Sequence, residues 1–288
     1  MEFNDLFDQP ADCSSTLLMR HSPKEPALKR VLPWLAATRP DIYNAYQQTQ
    51  SPKAETQMLR ATWLASFIGH QPGKALFIGL YRVGKYRLLN YDEYWAVPAY
   101  QAMLQWDLNG LTQERASCFW FDLELNSFYD HWKGKLVVKW PGGEHSWSRW
   151  ANRNSLEILA VHEDTLLDPP VPDWTQLDLG WADLAVLPTR LRHALLEWRG
   201  VYYIFDETTA KGYVGSASGK ENILGRWKNY AATGHGGNVL LRDRNPEAFR
   251  FSILQRVAPD MDRKDVIAVE NSWKARLHSR APFGLNDN

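Results

Sequence analysis

Seven polar side chains in the last third of the chain have types and spacing that suit joint chemistry at one centre. They are Tyr202, Tyr213, Arg226, Tyr230, His235, Glu270 and Asn286. Tyr202 closes the triplet Gly200-Val201-Tyr202, and Tyr213 opens its mirror, Tyr213-Val214-Gly215. An arginine is permanently charged and grips an anion through two parallel hydrogen bonds. A phenol has an unperturbed pKa near ~10, so it serves as a base only beside positive charge. A glutamate is an oxygen ligand for a hard cation. The glycines at the outer ends of the mirrored triplets would let another backbone, or a phosphate, approach closely.

These groups need elements to hold them. Residues 201–205 (VYYIF) are β-branched and aromatic, which predicts a strand. Residues 206–212 are polar and carry turn residues, and 212–216 (GYVGS) read as the returning strand of a hairpin. The two tyrosines, eleven apart on its two strands, would project from one face. Residues 222–232 (NILGRWKNYAA) have helical spacing that sets Arg226 and Tyr230 four apart on one side. His235 falls in a glycine-rich loop. Residues 249–257 alternate as a third strand, and 265–278 read as a helix with the apolar stripe Val266, Val269, Trp273 and Leu277. Glu270 lies beside that stripe and would be partly buried. Each residue has a plainer reading: cross-strand aromatic pairs for the tyrosines, surface positions for Arg226 and Glu270, an ordinary loop residue for His235.

Taken in order, these seven positions resemble the GIY-YIG nuclease family over about the last 90 residues. Each motif is weak alone, and their joint order is specific. The resemblance implies an α+β fold with a small antiparallel sheet flanked by helices, and Mg²⁺-dependent hydrolysis of DNA phosphodiesters, with Mn²⁺ able to substitute. It implies that Tyr202 orients or deprotonates the water with help from Tyr213, that Arg226 binds the scissile phosphate, and that Glu270 is the metal ligand. Tyr230 and His235 would contact phosphate or position water, although the family varies at the histidine. Asn286 would fix the site from the tail, with Phe283 as the tail's anchor. Lys228 would add a DNA contact.

The chain has 288 residues, 44% hydrophobic and 23% charged, which is a globular composition with room for two domains. Lys plus Arg and Asp plus Glu both number 33, so net charge alone names no nucleic-acid partner. Two unrelated cysteines, Cys13 and Cys118, allow no disulfide framework, and neither a signal peptide nor a membrane span is evident. A cytoplasmic protein is expected. Residues 1–165 read as a mixed, strand-rich recognition domain, 166–195 as an acidic, proline-containing linker with a connecting helix, and 196–288 as the nuclease domain. Within the first domain, 31–50 suggest helical pieces interrupted by prolines, 58–68 a helix or strand, and 74–83 a buried strand with which 86–91 pairs. Further strands are expected at 135–140, before the turn 141–143, and at 156–162. Residues 67–83 faintly resemble strands of PUA-like domains, which bind modified or flipped-out bases. Fourteen tryptophans, eight of them between Trp63 and Trp150, are either core aromatics or a stacking platform for a base. Lys133, Lys135, Lys139, Arg149 and Arg153 are either phosphate contacts or a solvated face. The expected function is a restriction or phage-defence endonuclease acting on double-stranded, base-modified DNA, with a homodimer as the route to a double-strand break. A repair nuclease and a non-catalytic nucleic-acid-binding protein remain the alternatives.

Overall fold

A computed structural model of the chain describes residues 1–7, 10–142, 147–219, 222–242 and 244–287. It forms two compact units, Met1–Asp168 and Pro169–Asn288, both mixed α and β. No helix among the described residues is long and apolar enough to cross a membrane.

The first unit carries helices α1 (Pro10–Ser15), α2 (Pro26–Thr38), α3 (Pro40–Gln48), α4 (Pro52–Met58), α5 (Tyr91–Trp95) and α6 (Pro98–Met103). Its strands are β1 (Thr16–His21), β2 (Trp63–Gly69), β3 (Lys74–Asn90), β4 (Ser117–Leu125), β5 (Leu136–Lys139), β6 (Ser148–Trp150) and β7 (Ile158–Val161). Of the two prolines within 31–50, Pro40 separates α2 from α3 by starting the second, whereas Pro33 lies inside α2. Pro26, Pro40, Pro52 and Pro98 occupy the first helical turn, where the missing N–H would have been unpaired anyway. Seven strands make one sheet in the order β6-β1-β2-β3-β5-β7, with β4 paired to β3, and β1 beside β2 is parallel. Residues 86–90 do not pair back onto 74–83; they continue the same strand and pair with β4. The buried first half of β3 carries the core and its exposed second half carries β4. In the turn 141–143, Gly143 lies outside the described residues.

The tryptophans do not make one platform. Trp140 is core, Trp63 and Trp132 pack against the same cluster, and Trp147 and Trp150 pack against another. Trp120 lies under the Arg87 guanidinium at 4.7 Å, and Trp95 donates to the Leu111 carbonyl. Spread in this way they fill space rather than face one ligand.

The second unit contains β8 (Asp178–Gly180), α7 (Thr189–Glu197), β9 (Arg199–Asp206), β10 (Lys211–Ala217), α8 (Asn222–Thr233), β11 (Phe249–Val257) and α9 (Arg263–Arg276). The strands form an antiparallel sheet, β10-β9-β11-β8. The segment expected to be a linker is part of this unit: β8 pairs with β11, and Leu177, Leu184, Leu187, Leu191 and Leu195 are in its core. Asp173 and Asp178 are exposed while these leucines face in. The helix expected within 181–199, interrupted or started near Pro188, begins just after that proline as α7, with a short 3₁₀ turn at Trp181–Ala185 before it.

His21, at the end of β1, is 3% exposed, and burial lowers it from 6.5 to about 4, with the nearby Gln47 side chain opposing the shift. The folded state therefore resists a proton that the unfolded chain accepts near ~6.5. Stability falls as pH drops below about 6.5, and the loss levels off near 4, at roughly 3 kcal/mol. Urea unfolding across pH 7 to 4 should show that decline, and His21→Gln should flatten the part of it that belongs to this residue.

Candidate functional site

Register fixes the site. Tyr202 lies opposite Gly215 and Tyr213 opposite Ile204, so both phenols project from one face of the hairpin. Gly215 is required there, since a Cβ would sit 2.5 Å from the Tyr202 hydroxyl. Gly200 serves a different neighbour: a Cβ would meet the Gln255 carbonyl, at the irregularity between β9 and β11. The mirrored glycines thus admit a phenol and a backbone, not a phosphate.

α8 packs on the phenol face through Ile223, Leu224, Trp227 and Tyr230. This brings the Tyr230 hydroxyl to 3.2 Å from that of Tyr202, and Arg226 Nε donates to the Tyr202 hydroxyl at 3.3 Å. The Arg226 guanidinium also stands 5.8 Å from the Tyr230 ring centre. Tyr213 and Tyr230 meet edge to face at 5.9 Å. Burial pushes Tyr202 well above the usual phenol range, the neighbouring Tyr213 adds to this, and Arg226 and Tyr230 offset it only in part. Tyr230 is pushed up further, again first by burial. Arg226 is raised by the phenols around it and stays charged. Tyr202 and Tyr230 are 0% exposed and Tyr213 9%, so Tyr213 is the least enclosed of the three.

His235 is half-buried in a loop held against this cluster, because Gly236 lies on the Tyr230 ring at a φ of 55°. Its Nδ1 accepts the Gly237 N–H at 3.0 Å, leaving Nε2 as the ring's other hydrogen-bonding atom.

Glu270 comes from the opposite side. Ser216 alternates with Gly215 and points to the other face, where its hydroxyl donates to Glu270 Oε2. Lys274, one helical turn further, holds Glu270 Oε1 at 2.9 Å. The inward line of α9 is therefore Val266, Glu270 and Lys274, and the expected stripe ends differently: Leu277 is 40% exposed while Lys274 is buried. Sequence reasoning missed both Ser216 and Lys274. The signals were available as strand alternation for the serine and an i, i+4 opposite-charge pair for the lysine.

Asn286 closes the edge of β10. Its Oδ1 accepts the Val214 N–H at 3.0 Å and its Nδ2 donates to the Val214 carbonyl at 2.8 Å, so one side chain does the work of a neighbouring strand. Ser279 Oγ donates to the same Oδ1, and Leu285 N–H reaches the Gly212 carbonyl. Leu285 anchors the tail at 1% exposure; Phe283, expected in that role, is 78% exposed. Its amide is engaged by Val214 and Ser279, so Asn286 holds the tail on β10. The clamp ends at Val214. Just beyond it, Tyr202 overlies Gly215 on one face and Glu270 holds Ser216 on the other.

Lys228 is exposed on α8, two residues from Arg226. In the first unit the expected phosphate contacts fare differently. Arg149 is committed internally, to Asn154 Oδ1 at 2.9 Å and the Pro141 carbonyl at 2.5 Å. Lys139 pairs with Glu157. Lys133 and Lys135 are half-buried on either side of Gly134, and burial lowers Lys133.

No protein-family model and no curated protein matches the chain. Among solved structures, the catalytic domain of the homing endonuclease I-TevI is 26% identical, covering 31% of this chain and 98% of its own, with a TM-score of 0.26. A mutant of the same intron-endonuclease catalytic domain is 26% identical, covering 32% of this chain and 94% of its own, with a TM-score of 0.26.

Two variants test the geometry. Asn286→Ala strips both Val214 groups of their partner and should destabilise the second unit by about 2–4 kcal/mol in urea unfolding. Gly215→Ala should displace the Tyr202 phenol, seen as altered tyrosine absorbance, with a smaller loss of stability than Asn286→Ala.

Proposed function

We propose that the second unit is a divalent-metal-dependent endonuclease acting on DNA. The observation that carries this reading is that two chemically different half-sites flank one strand edge, on either face of β10 at residues 215–216. One face brings a guanidinium braced by phenols, and the other a carboxylate.

The donor set can be tested against the metal that the family resemblance implies. No group of three or more His, Cys, Asp or Glu among the described residues could hold a metal ion, so a closed protein cage is not on offer. Mg²⁺ does not need one: it commonly takes one or two carboxylates and completes its shell with water and substrate phosphate. Glu270, held by Ser216 and only 15% exposed at its side chain, fits that single-ligand role. A cation bound there supplies charge neutralisation at the phosphoryl oxygens.

The remaining roles belong to the chain's own residues. Arg226 uses Nε on Tyr202 and keeps its outer nitrogens for a phosphate. Tyr202 and Tyr230, held protonated by burial, brace the guanidinium and orient neighbours; neither takes a proton near neutral pH. Tyr213, the least enclosed of the three phenols, positions the attacking water. His235 Nε2 is placed to donate to a phosphate or to the departing oxygen. As water bonds to phosphorus it gives up a proton to solvent, the bond to the departing oxygen breaks, and that oxygen takes up a proton from solvent. The finer assignment is a restriction or phage-defence enzyme whose first unit reads base-modified DNA, with a homodimer cutting both strands.

A second reading, a binding protein without catalysis, is favoured by one contact: the Lys274 ammonium already occupies Glu270 Oε1. A supercoiled plasmid incubated with Mg²⁺ separates the two. On the nuclease reading the wild type nicks, Glu270→Ala loses about 10³-fold or more, and Tyr213→Phe loses more than Tyr202→Phe. No nicking on unmodified, 5-methylcytosine or 5-hydroxymethylcytosine DNA, together with gain of metal binding in Lys274→Met, establishes the second.

A further inference from the structure

Two cavities in the first unit share a wall. The smaller, about 260 Å³, is bounded by Tyr46, Tyr94, Tyr100, Met103, Arg115 and Cys118. The larger, about 850 Å³, is bounded by Arg20, His21, Lys24, Lys29 and Trp147. Tyr46, Gln50 and Ser51 border both.

The smaller cavity is aromatic, polar and uncharged over most of its wall. Tyr94 and Tyr100 stack at 4.1 Å and 5°, which makes a rigid side. Tyr100 is 0% exposed; Thr49 and Trp120 lie near its hydroxyl, but neither stands in hydrogen-bonding geometry to it. A buried phenol left unbonded is costly, so an unbonded one lining a cavity marks where a ligand atom belongs. Burial keeps Tyr100 protonated and pushes the Cys118 thiol up to about 11. Arg115 is locked onto Glu55 at 2.5 Å and the Gln50 carbonyl at 3.1 Å, and Glu25 at the rim accepts the Asn109 amide. These walls suit a neutral ring with hydrogen-bonding edges.

The larger cavity has the opposite character. Three cationic side chains line it, and no carboxylate does among the described residues. His21 is 3% exposed there, and its Nε2 also has no hydrogen-bond partner. A neutral ring in one cavity and anions in the next describe a nucleotide. Within a duplex the ring faces its partner base, so only an unpaired or extruded nucleotide can enter.

We propose that these cavities receive one unpaired nucleotide of DNA, with its base against Tyr100 and its flanking phosphates along Arg20, Lys24 and Lys29. The inference rests on the DNA-acting reading above and assigns the first unit its part in it.

The test uses the full chain in EDTA, which separates binding from cleavage. Fluorescein-labelled 20-mer duplexes, one fully paired and one with a single-base bulge, are compared by anisotropy. The bulged duplex should bind about ten-fold tighter. Tyr100→Phe, and Leu108→Trp filling the cavity from its rim, should each cut that preference below about two-fold without weakening the paired duplex. Lys24→Ala with Lys29→Ala should weaken both duplexes and lower the salt slope by about 2. Equal binding of the two wild-type complexes overturns the proposal, as does a preference that survives both cavity variants. Competition by a free deoxynucleoside monophosphate as strong as by bulged DNA also overturns it. Nicking measured in parallel keeps the two readings apart. Nicking without bulge preference removes this inference alone, whereas no DNA binding and no nicking removes the nuclease reading as well.

Discussion

A phenol ring lying across a glycine organises the second unit. Tyr202 occupies the space that a side chain at position 215 would need, and this brings its hydroxyl under α8, within reach of Arg226 and Tyr230. A buried hydroxyl must find partners, and these two supply them. Each in turn is placed by Trp227 and Ile223, which bury the same side of α8. The polar cluster and the apolar core are therefore one packing solution. A residue larger than glycine at 215 would disturb both.

The edge of β10 is covered by the tail. An exposed strand edge invites pairing with another chain. Here Leu285 and Asn286 occupy the backbone groups of Gly212 and Val214. At Val214 a side-chain amide does this without adding a strand. On the far face α9 turns a charged pair inward where an amphipathic helix would normally present leucine or valine. An ion pair with one member buried is a weak source of stability, since desolvation opposes the attraction. Its placement against Ser216 is easier to understand as preparation of a carboxylate than as packing.

The first unit divides its labour differently. Its helices other than α5 begin at prolines, and its long third strand serves two partners in succession, buried with one and half-exposed with the other. Tryptophans, dispersed through the cores, fix the sheet. The ligand-like features lie elsewhere, among tyrosines of α3, α5 and α6 and cations at the start of α2. The tryptophan count drew attention to base stacking, but a count carries no direction. Tyr94 and Tyr100, only six residues apart, were the more informative pair because the bend between α5 and α6 stacks them.

From the residues alone came the hairpin of Tyr202 and Tyr213, the helix of Arg226, the strand at 249–257 and the helix of Glu270. Each is a local pattern: alternation, helical spacing, or β-branched enrichment read over a few residues. What those patterns do not encode is decided by partners distant in sequence. The leucines at 177–195 looked like a linker because their acidic neighbours dominate the composition, and only pairing with β11 shows their inward face. Lys274 drew no reading from the sequence and is buried against Glu270, which Ser216 also holds, and the partner that Asn286 meets, Val214, lies far off in the chain. Tertiary structure alone could settle these, because a side chain's role depends on which atoms surround it, and those atoms come from residues up to 72 positions away.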